Sequence, residues 1–336
     1  MATISLVMPM FDAARYLDRV VPPIARALAE RRLHEIVVVD DGCTDDGPRR
    51  CRDAGFTVLS SGGRKGPAFC RNLGAKAATG EFVLFLDSDV VMHDDVPAQV
   101  ENVLAAQPDV VALFGEYDDH PAAPGIVSRY RNLLHHFVHH THPGEASTFW
   151  AGCGAVRRAA FQAVGGFDAE RYAHPSIEDI ELGSRLRRAG GRILLLPAIQ
   201  GTHLKHWTFT SMVRTDVFRR ALPWGRLLQH EGRTGAALNV SNAERLKALL
   251  AGAIAVATAL GFVHAAWFGA AAALLVVATV ASLPFYAVVL RSAGLVTALS
   301  AVLLHQLYFV YSAATFAWCV IEHKLGLAPA PRRGGA

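Results

Sequence analysis

Glu81-Phe-Val-Leu-Phe-Leu-Asp-Ser-Asp89 ends an unbroken apolar run on two carboxylates one residue apart. Phe82 to Leu86 show no polar alternation, the pattern of a strand covered on both faces of a parallel sheet. Side chains alternate along a strand, so Asp87 and Asp89 leave its end pointing the same way, toward one divalent cation. Such an arrangement holds a metal-bound diphosphate. In open α/β sheets, ligands bind beyond the carboxyl ends of the strands, which is where this pair falls.

Upstream, a strand Ile4–Met8, a helix from about Ala13 to Arg31 and a strand Glu35–Val39 make a βαβ unit, with Val37-Val-Val39 again reading as buried parallel sheet. Asp40-Asp41-Gly42 closes the second strand. Its carboxylates either cap the next helix or accept a hydrogen bond from a nucleobase or ribose. A short strand Thr57–Leu59 leads to Gly62-Gly-Arg-Lys65-Gly66 and a helix from Pro67 to Ala78. This loop, with Lys65, Arg71 and Asn72, offers backbone N–H groups and cations to a diphosphate. The alternation predicts a doubly wound, mostly parallel α/β sheet.

Farther along stand Trp150-Ala-Gly-Cys-Gly-Ala155 and Ile177-Glu-Asp-Ile-Glu181, the latter opening a helix to about Ala189. Glu178 and Asp179 fall in its first turn, where the helix dipole favours anions. Asp179, followed by apolar Ile180 and Leu182, suits a general base at the edge of a packed pocket, with Glu178 as the substitute. In Gly201-Thr-His-Leu-Lys-His-Trp207, His203 is either structural or completes the coordination of a cation on Asp87 and Asp89. His135, His136, His139, His140 and His142 put two pairs of imidazoles one helical turn apart. They read as a helix lining an acceptor cleft rather than as zinc ligands, since no further ligand is evident.

The 336 residues carry a formal net charge of +4, and 52% are hydrophobic. The mean hydropathy of +0.26 is high for a wholly soluble chain. The surplus sits in the last quarter. From Ala248 to Leu290 there are 43 residues without Lys, Arg, Asp or Glu. As helix they extend about 64 Å, twice the hydrocarbon thickness of a bilayer. Two crossings fit, turning at His264 to Gly269, and Leu295 to Ile321 forms a third apolar stretch. Arg233, Arg245, Lys247 and Arg291 flank the first two spans and predict that these ends are cytoplasmic. A third full crossing would export Lys324, Arg332 and Arg333 against that rule, so re-entry is the alternative. The amino terminus opens directly on a strand without an apolar leader, which predicts that the large amino-terminal part remains in the cytoplasm. Five cysteines without Cys-x-x-Cys fit a reducing compartment. No basic stripe with interleaved aromatics points to nucleic acid. Thr208 to Leu228 mixes Phe209, Phe218 and Trp224 with Arg214, Arg219, Arg220 and Arg226, as in an interfacial amphipathic segment.

Taken in order, Ser5-Leu-Val-Met-Pro9, Val39-Asp-Asp-Gly42, Arg71-Asn72, Asp87-Ser-Asp89, Trp150-Ala-Gly-Cys-Gly154, Ile177-Glu-Asp179 and His203-Leu-Lys-His-Trp207 resemble glycosyltransferase family 2, the inverting GT-A enzymes, and its bacterial members with carboxyl-terminal membrane helices. The resemblance covers roughly residues 3 to 230. Cys43 stands where the family commonly has Ser. The Gln-x-x-Arg-Trp of processive members is not found, which argues against polymer synthesis. The resemblance implies a catalytic domain over 1–207, an interfacial connection over 208–243, a membrane domain over 244–325 and a disordered tail over 326–336. It implies transfer from a nucleotide-sugar donor to a hydroxyl or phosphate of a membrane lipid or glycan, with Mg2+ or Mn2+ on Asp87, Asp89 and His203. Pro9, Asp40, Asp41, Lys65, Arg71 and Asp87 would face the donor. Trp150, Gly152, Cys153, His206 and Trp207 would face the acceptor. The alternatives are a catalytically silent nucleotide-sugar-binding subunit and a nucleotidyltransferase built on the same metal site.

Overall fold

A computed structural model describes residues 3–231 and 242–327. Residues 232–241, with Arg233, and the tail beyond 327, with Arg332 and Arg333, lie outside the described residues. The chain divides into two compact units. One runs to Asp118 and resumes over His139–Lys205; the other takes Asp119–Val138 and, among the described residues, the chain from His206. Asp119–Val138 therefore leaves the span 1–207 read as one domain from sequence.

The first unit alternates β1 (Ile4–Met10), α1 (Ala14–Ala29), β2 (Glu35–Asp40), α2 (Gly47–Asp53), β3 (Thr57–Ser60), α3 (Pro67–Ala77) and β4 (Phe82–Leu86). The chain continues through β5 (Val90–Met92), α4 (Val96–Ala106), β6 (Val110–Tyr117), α5 (Ile126–His140), β7 (Gly144–Glu145), β8 (Cys153–Arg157), α6 (Arg158–Ala163), α7 (Glu178–Arg188) and β9 (Arg192–His203). The sheet order is β3-β2-β1-β4-β8-β6-β9-β5, with β7 on β9. The first four strands are parallel, and the apolar, fully buried β4 among them has the composition of a strand covered on both faces. Insertion of β8 antiparallel between β4 and β6 makes the second half mixed. All five residues of β4 are buried. Helix α1 covers the sheet with Leu17, Val20, Ile24 and Ala27, spaced three and four apart as one helical face demands.

The second unit is helical. It contains α8 (Phe209–Arg214), a π-helical stretch Thr215–Ala221, α9 (Leu222–Glu231), α10 (Asn242–Gly261), α11 (Ala266–Ala281) and α12 (Leu283–Lys324). Tyr130 and Leu133 of α5 pack in one core with Trp207, Met212, Phe285 and Ala301. The buried Arg131 guanidinium meets Asp216 of the π-helical stretch at 2.8 Å. Tyr311 donates to the same carboxylate at 2.7 Å.

Helix α12 is not one rod. Gly294 has φ 81° and ψ 173°, outside the helical region and in backbone space open to glycine. The Phe285 and His305 rings lie 4.8 Å apart. In an unbroken helix these positions would be about 30 Å apart. The chain therefore doubles back at Gly294, with an arm of about 16 Å over 283–293 and one of about 45 Å over 295–324. The expected turn at His264–Gly269 falls instead at 262–265, and Gly269 lies inside α11. Among the described residues one helix, Leu283–Lys324, is long and apolar enough to cross a membrane by length and composition. Its longer arm exposes Leu295, Leu299, Leu303 and Leu307 and buries Thr297, Ala298, Ala301 and His305.

Candidate active site

The ends of β4 and β9 build the centre of the site. Beyond β4, Asp87 N–H donates to the Gly152 carbonyl at 3.1 Å, and Leu204 N–H donates to the Asp89 carbonyl at 2.8 Å. Antiparallel pairing of β5 with β9 sets Val90 opposite His203. That register carries the imidazole to Asp89, with Nε2 3.6 Å from Oδ2. The His203 ring lies flat on Tyr117, centroids 4.3 Å apart. Tyr117 meets Trp150 edge-on at 4.9 Å. This aromatic row orients the imidazole.

Asp87 pairs with Arg71, whose Nη2 is 2.6 Å from Oδ1. The second guanidinium nitrogen reaches Glu178 at 3.0 Å. Burial raises the Asp87 carboxyl above its ordinary range, with Arg71 opposing and Asp89 adding to the rise. Burial works to raise Asp89 too, but His203 and Lys205 outweigh it and hold that carboxyl below the usual range. Oxygen and imidazole donors at Asp89, His203 and Asp87 fit Mg2+ or Mn2+ by ligand type. Asp12, Cys43 and Asp45 also gather ligand atoms within 4.8 Å. Their carboxylates accept from the backbone N–H groups of Thr44, Ala14 and Gly47 at 2.7, 2.8 and 3.0 Å, so this cluster braces a turn.

Several expected donor contacts are spent inside the protein. Asp41 is buried and accepts from the N–H groups of Lys65 at 2.7 Å and Gly66 at 2.9 Å. The backbone groups expected to cradle a diphosphate thus bind Asp41, and Asp41 holds the loop. Asp40 accepts from Gly42 and Cys43 N–H at 3.0 and 2.8 Å, closing a turn at a half-exposed position. Pro9 is buried within β1, which runs one residue past it to Met10. The Lys65 side chain is exposed. Gly66, at φ +88°, closes the loop, and a Cβ there would overlap the Ala173 carbonyl. We expect Gly66→Ala to lower stability by about 2 kcal/mol or more through backbone strain and steric displacement. Thermal unfolding would reveal it, and an unchanged midpoint would show that the loop relaxes freely.

Asp179 is half-buried, its Oδ1 accepting from Ile180 N–H at 2.8 Å and its Oδ2 from Ala151 N–H at 3.3 Å. The segment Ala151-Gly152 therefore engages Asp179 through one residue and Asp87 through the next. Glu178 is buried and committed to Arg71 and to Ser176 N–H at 2.8 Å, which removes it as a substitute base. Of the acceptor-side set, Trp150 and Gly152 stand by Asp87 and Tyr117. Cys153 is fully buried in β8, and burial pushes its thiol up to about 12, so it is an inert core residue. His206 and Trp207 fall in the second unit. Trp207 is buried in the helical core, its N–H donating to Ser128 Oγ at 2.8 Å, and is not an open acceptor surface. In the helix of histidines, His139 Nδ1 lies 2.9 Å from the Gly115 carbonyl, and His140 Nδ1 3.0 Å from Glu116 Oε1.

Sequence reading missed Tyr117 and underused Asn72. The Asn72 amide donates to the Phe167 carbonyl and accepts from Phe167 N–H, both at 2.8 Å. The adjacency of Asn72 to Arg71 was the available signal. For Tyr117, an aromatic at the end of a buried strand was the only one.

Residues 5–165 match the family model of glycosyl transferase family 2. Glycosyltransferase GlyG of Streptococcus pneumoniae serotype 4 is 30% identical over 128 residues, 36% of this chain and 41% of GlyG. Validoxylamine A glucosyltransferase of Streptomyces hygroscopicus subsp. jinggangensis is 29% identical over 237 residues, 56% of this chain and 52% of the relative. The chain thus spans about half or less of these curated relatives. Among solved structures, the mannosyltransferase PcManGT from Pyrobaculum calidifontis in complex with GDP-Man and Mn2+ superposes with a TM-score of 0.60 at 20% identity, covering 94% of this chain and 87% of that one. The sheet has the mixed α/β, GT-A-like fold of that structure.

Proposed function

We propose that the protein is an inverting glycosyltransferase of family 2 that moves a sugar from a nucleoside-diphosphate donor to a hydroxyl or phosphate of a membrane lipid or glycolipid. The observation that carries this reading is the Ala151-Gly152 segment, whose N–H and C=O hold Asp179 and the Asp87 backbone side by side. A base for the acceptor and a carboxylate site for the donor thus share one rigid support. Asp179 takes the proton of the acceptor hydroxyl as its oxygen forms a bond to the anomeric carbon. The bond from that carbon to the diphosphate oxygen breaks on the opposite face, so configuration inverts. Asp89, Asp87 and His203 would hold a divalent cation, which supplies charge neutralisation for the departing diphosphate. The family match and the likeness to a fold solved with GDP-Man and Mn2+ support the donor class. The apolar face of α12 and the aromatic and arginine side chains of 208–228 support a membrane acceptor and an inner-membrane location with the sheet domain in the cytoplasm.

The test uses the full chain in detergent or nanodiscs with a panel of UDP- and GDP-sugars and either Mn2+ or Mg2+. A matching donor at 100 times its dissociation constant adds about 2.7 kcal/mol and raises the unfolding midpoint. The same donor should then label a membrane lipid extract, with the anomeric configuration inverted by NMR. A panel without stabilisation or transfer would overturn the reading.

A further inference from the structure

We infer that Arg71 is a positioning residue that locks the metal-side carboxylate Asp87 to the start of the base-bearing helix α7, rather than a contact to the donor. The inference rests on the functional reading above and assigns a role within that site. Arg71 stands on α3, and its side chain is 6% exposed. One terminal nitrogen lies 2.6 Å from Asp87, and the other 3.0 Å from Glu178, whose side chain is also 6% exposed. Its Nε is buried without a hydrogen-bond partner, and its guanidinium stands 5.5 Å from the Phe167 ring centroid. A side chain so enclosed has no face left for a diphosphate.

Its partners matter for the chemistry. Asp87 closes β4, and Glu178 precedes Asp179 in the first turn of α7, 107 residues from Arg71. The adjacent Asn72 clamps Phe167 through both its amide atoms, so two consecutive residues of α3 staple the parallel half of the sheet to the segments that carry the base. A planar fork spans two carboxylates at fixed geometry, which an ammonium on a flexible stem does not. Loss of the fork would let the donor-side and acceptor-side groups drift apart while leaving donor-contacting surfaces intact. Misplacement of about 1 Å is enough to cost about a hundredfold in rate.

The experiment compares wild type, Arg71→Lys, Arg71→Met, Glu178→Gln and Arg71→Met/Glu178→Gln in the full chain, with kcat and KM from transfer and Kd for UDP or GDP in Mn2+ from calorimetry. Arg71→Met should lower kcat about a hundredfold with nucleotide Kd within about threefold, and Arg71→Lys should restore only part of it. The double variant should lose no more than Arg71→Met alone, because residues acting as a unit are not additive. If Arg71→Met does not fold, Arg71→Lys and Glu178→Gln carry the same kcat-against-Kd comparison. Unchanged kcat, multiplicative losses in the double variant, or nucleotide Kd weakened more than tenfold at constant kcat would overturn the assignment while leaving the glycosyltransferase reading intact. A wild type without metal-dependent transfer would overturn both.

Discussion

Asp179→Asn is expected to reduce sugar transfer by about 10²- to 10⁴-fold, the usual contribution of a positioned general base, while nucleotide affinity stays within about threefold. The amide retains the shape but cannot take the proton of an acceptor hydroxyl. The substitution is not silent structurally. Both Asp179 oxygens accept from backbone N–H groups, of Ala151 at 3.3 Å and of Ile180 at 2.8 Å. An NH2 in place of either oxygen opposes a donor to a donor, and we expect about 1–2 kcal/mol of lost stability. Single-turnover transfer measured beside calorimetric binding of UDP or GDP separates the two effects. Turnover within tenfold of wild type would remove Asp179 as the base. Glu178 would not inherit the role, because Arg71 and Ser176 already occupy its carboxylate.

Chelation of divalent metal should abolish transfer and take most of the affinity for a nucleoside diphosphate with it. Carboxylates repel a diphosphate, and a cation between them reverses the sign of that interaction. Asp89→Asn should reproduce the loss in the presence of metal, by at least about a hundredfold in transfer, since Asp89 lies 3.6 Å from His203 and would supply a charged ligand to the cation. Asp87→Asn should cost stability as well, because it leaves the buried Arg71 with one carboxylate instead of two. His203→Ala removes an imidazole fixed by Tyr117 and should weaken metal affinity less than Asp89→Asn. Calorimetry of Mn2+ and nucleotide on these variants decides the order. Equal nucleotide affinity with and without metal would exclude a cation-mediated donor site.

Local pattern was sufficient for much of the first unit. Five apolar residues in β4 and three valines in β2 have only one stable setting, a strand covered on both sides, and the expected strands and helices fall within two residues of those observed. Asp87 and Asp89 at the end of β4 follow from the same reading, because chain order puts them there whatever the rest of the molecule does.

The partners of those carboxylates were not written in any local pattern. Asp40 and Asp41 look alike in sequence, yet Asp41 is buried holding the Gly-rich loop 24 and 25 residues away, and Asp40 closes a local turn on Gly42 and Cys43 at a half-exposed position. Trp207 and Cys153 carried motif positions but were taken by cores. The hairpin in α12 hinges on one residue, Gly294, inside a run whose composition suits a straight span. Hydropathy counts apolar residues and is blind to a single backbone angle. What this chain determined by itself was the alternating elements of its first 86 residues and which strand end carries the charged pair, because strand and helix periodicity are properties of neighbouring residues. What only the tertiary structure decided was that Asp89 meets His203, Asp87 meets Arg71, and Arg71 reaches Glu178. Ion pairs are chosen by where sheet register and helix packing bring distant side chains, and a linear pattern of residues does not contain that distance.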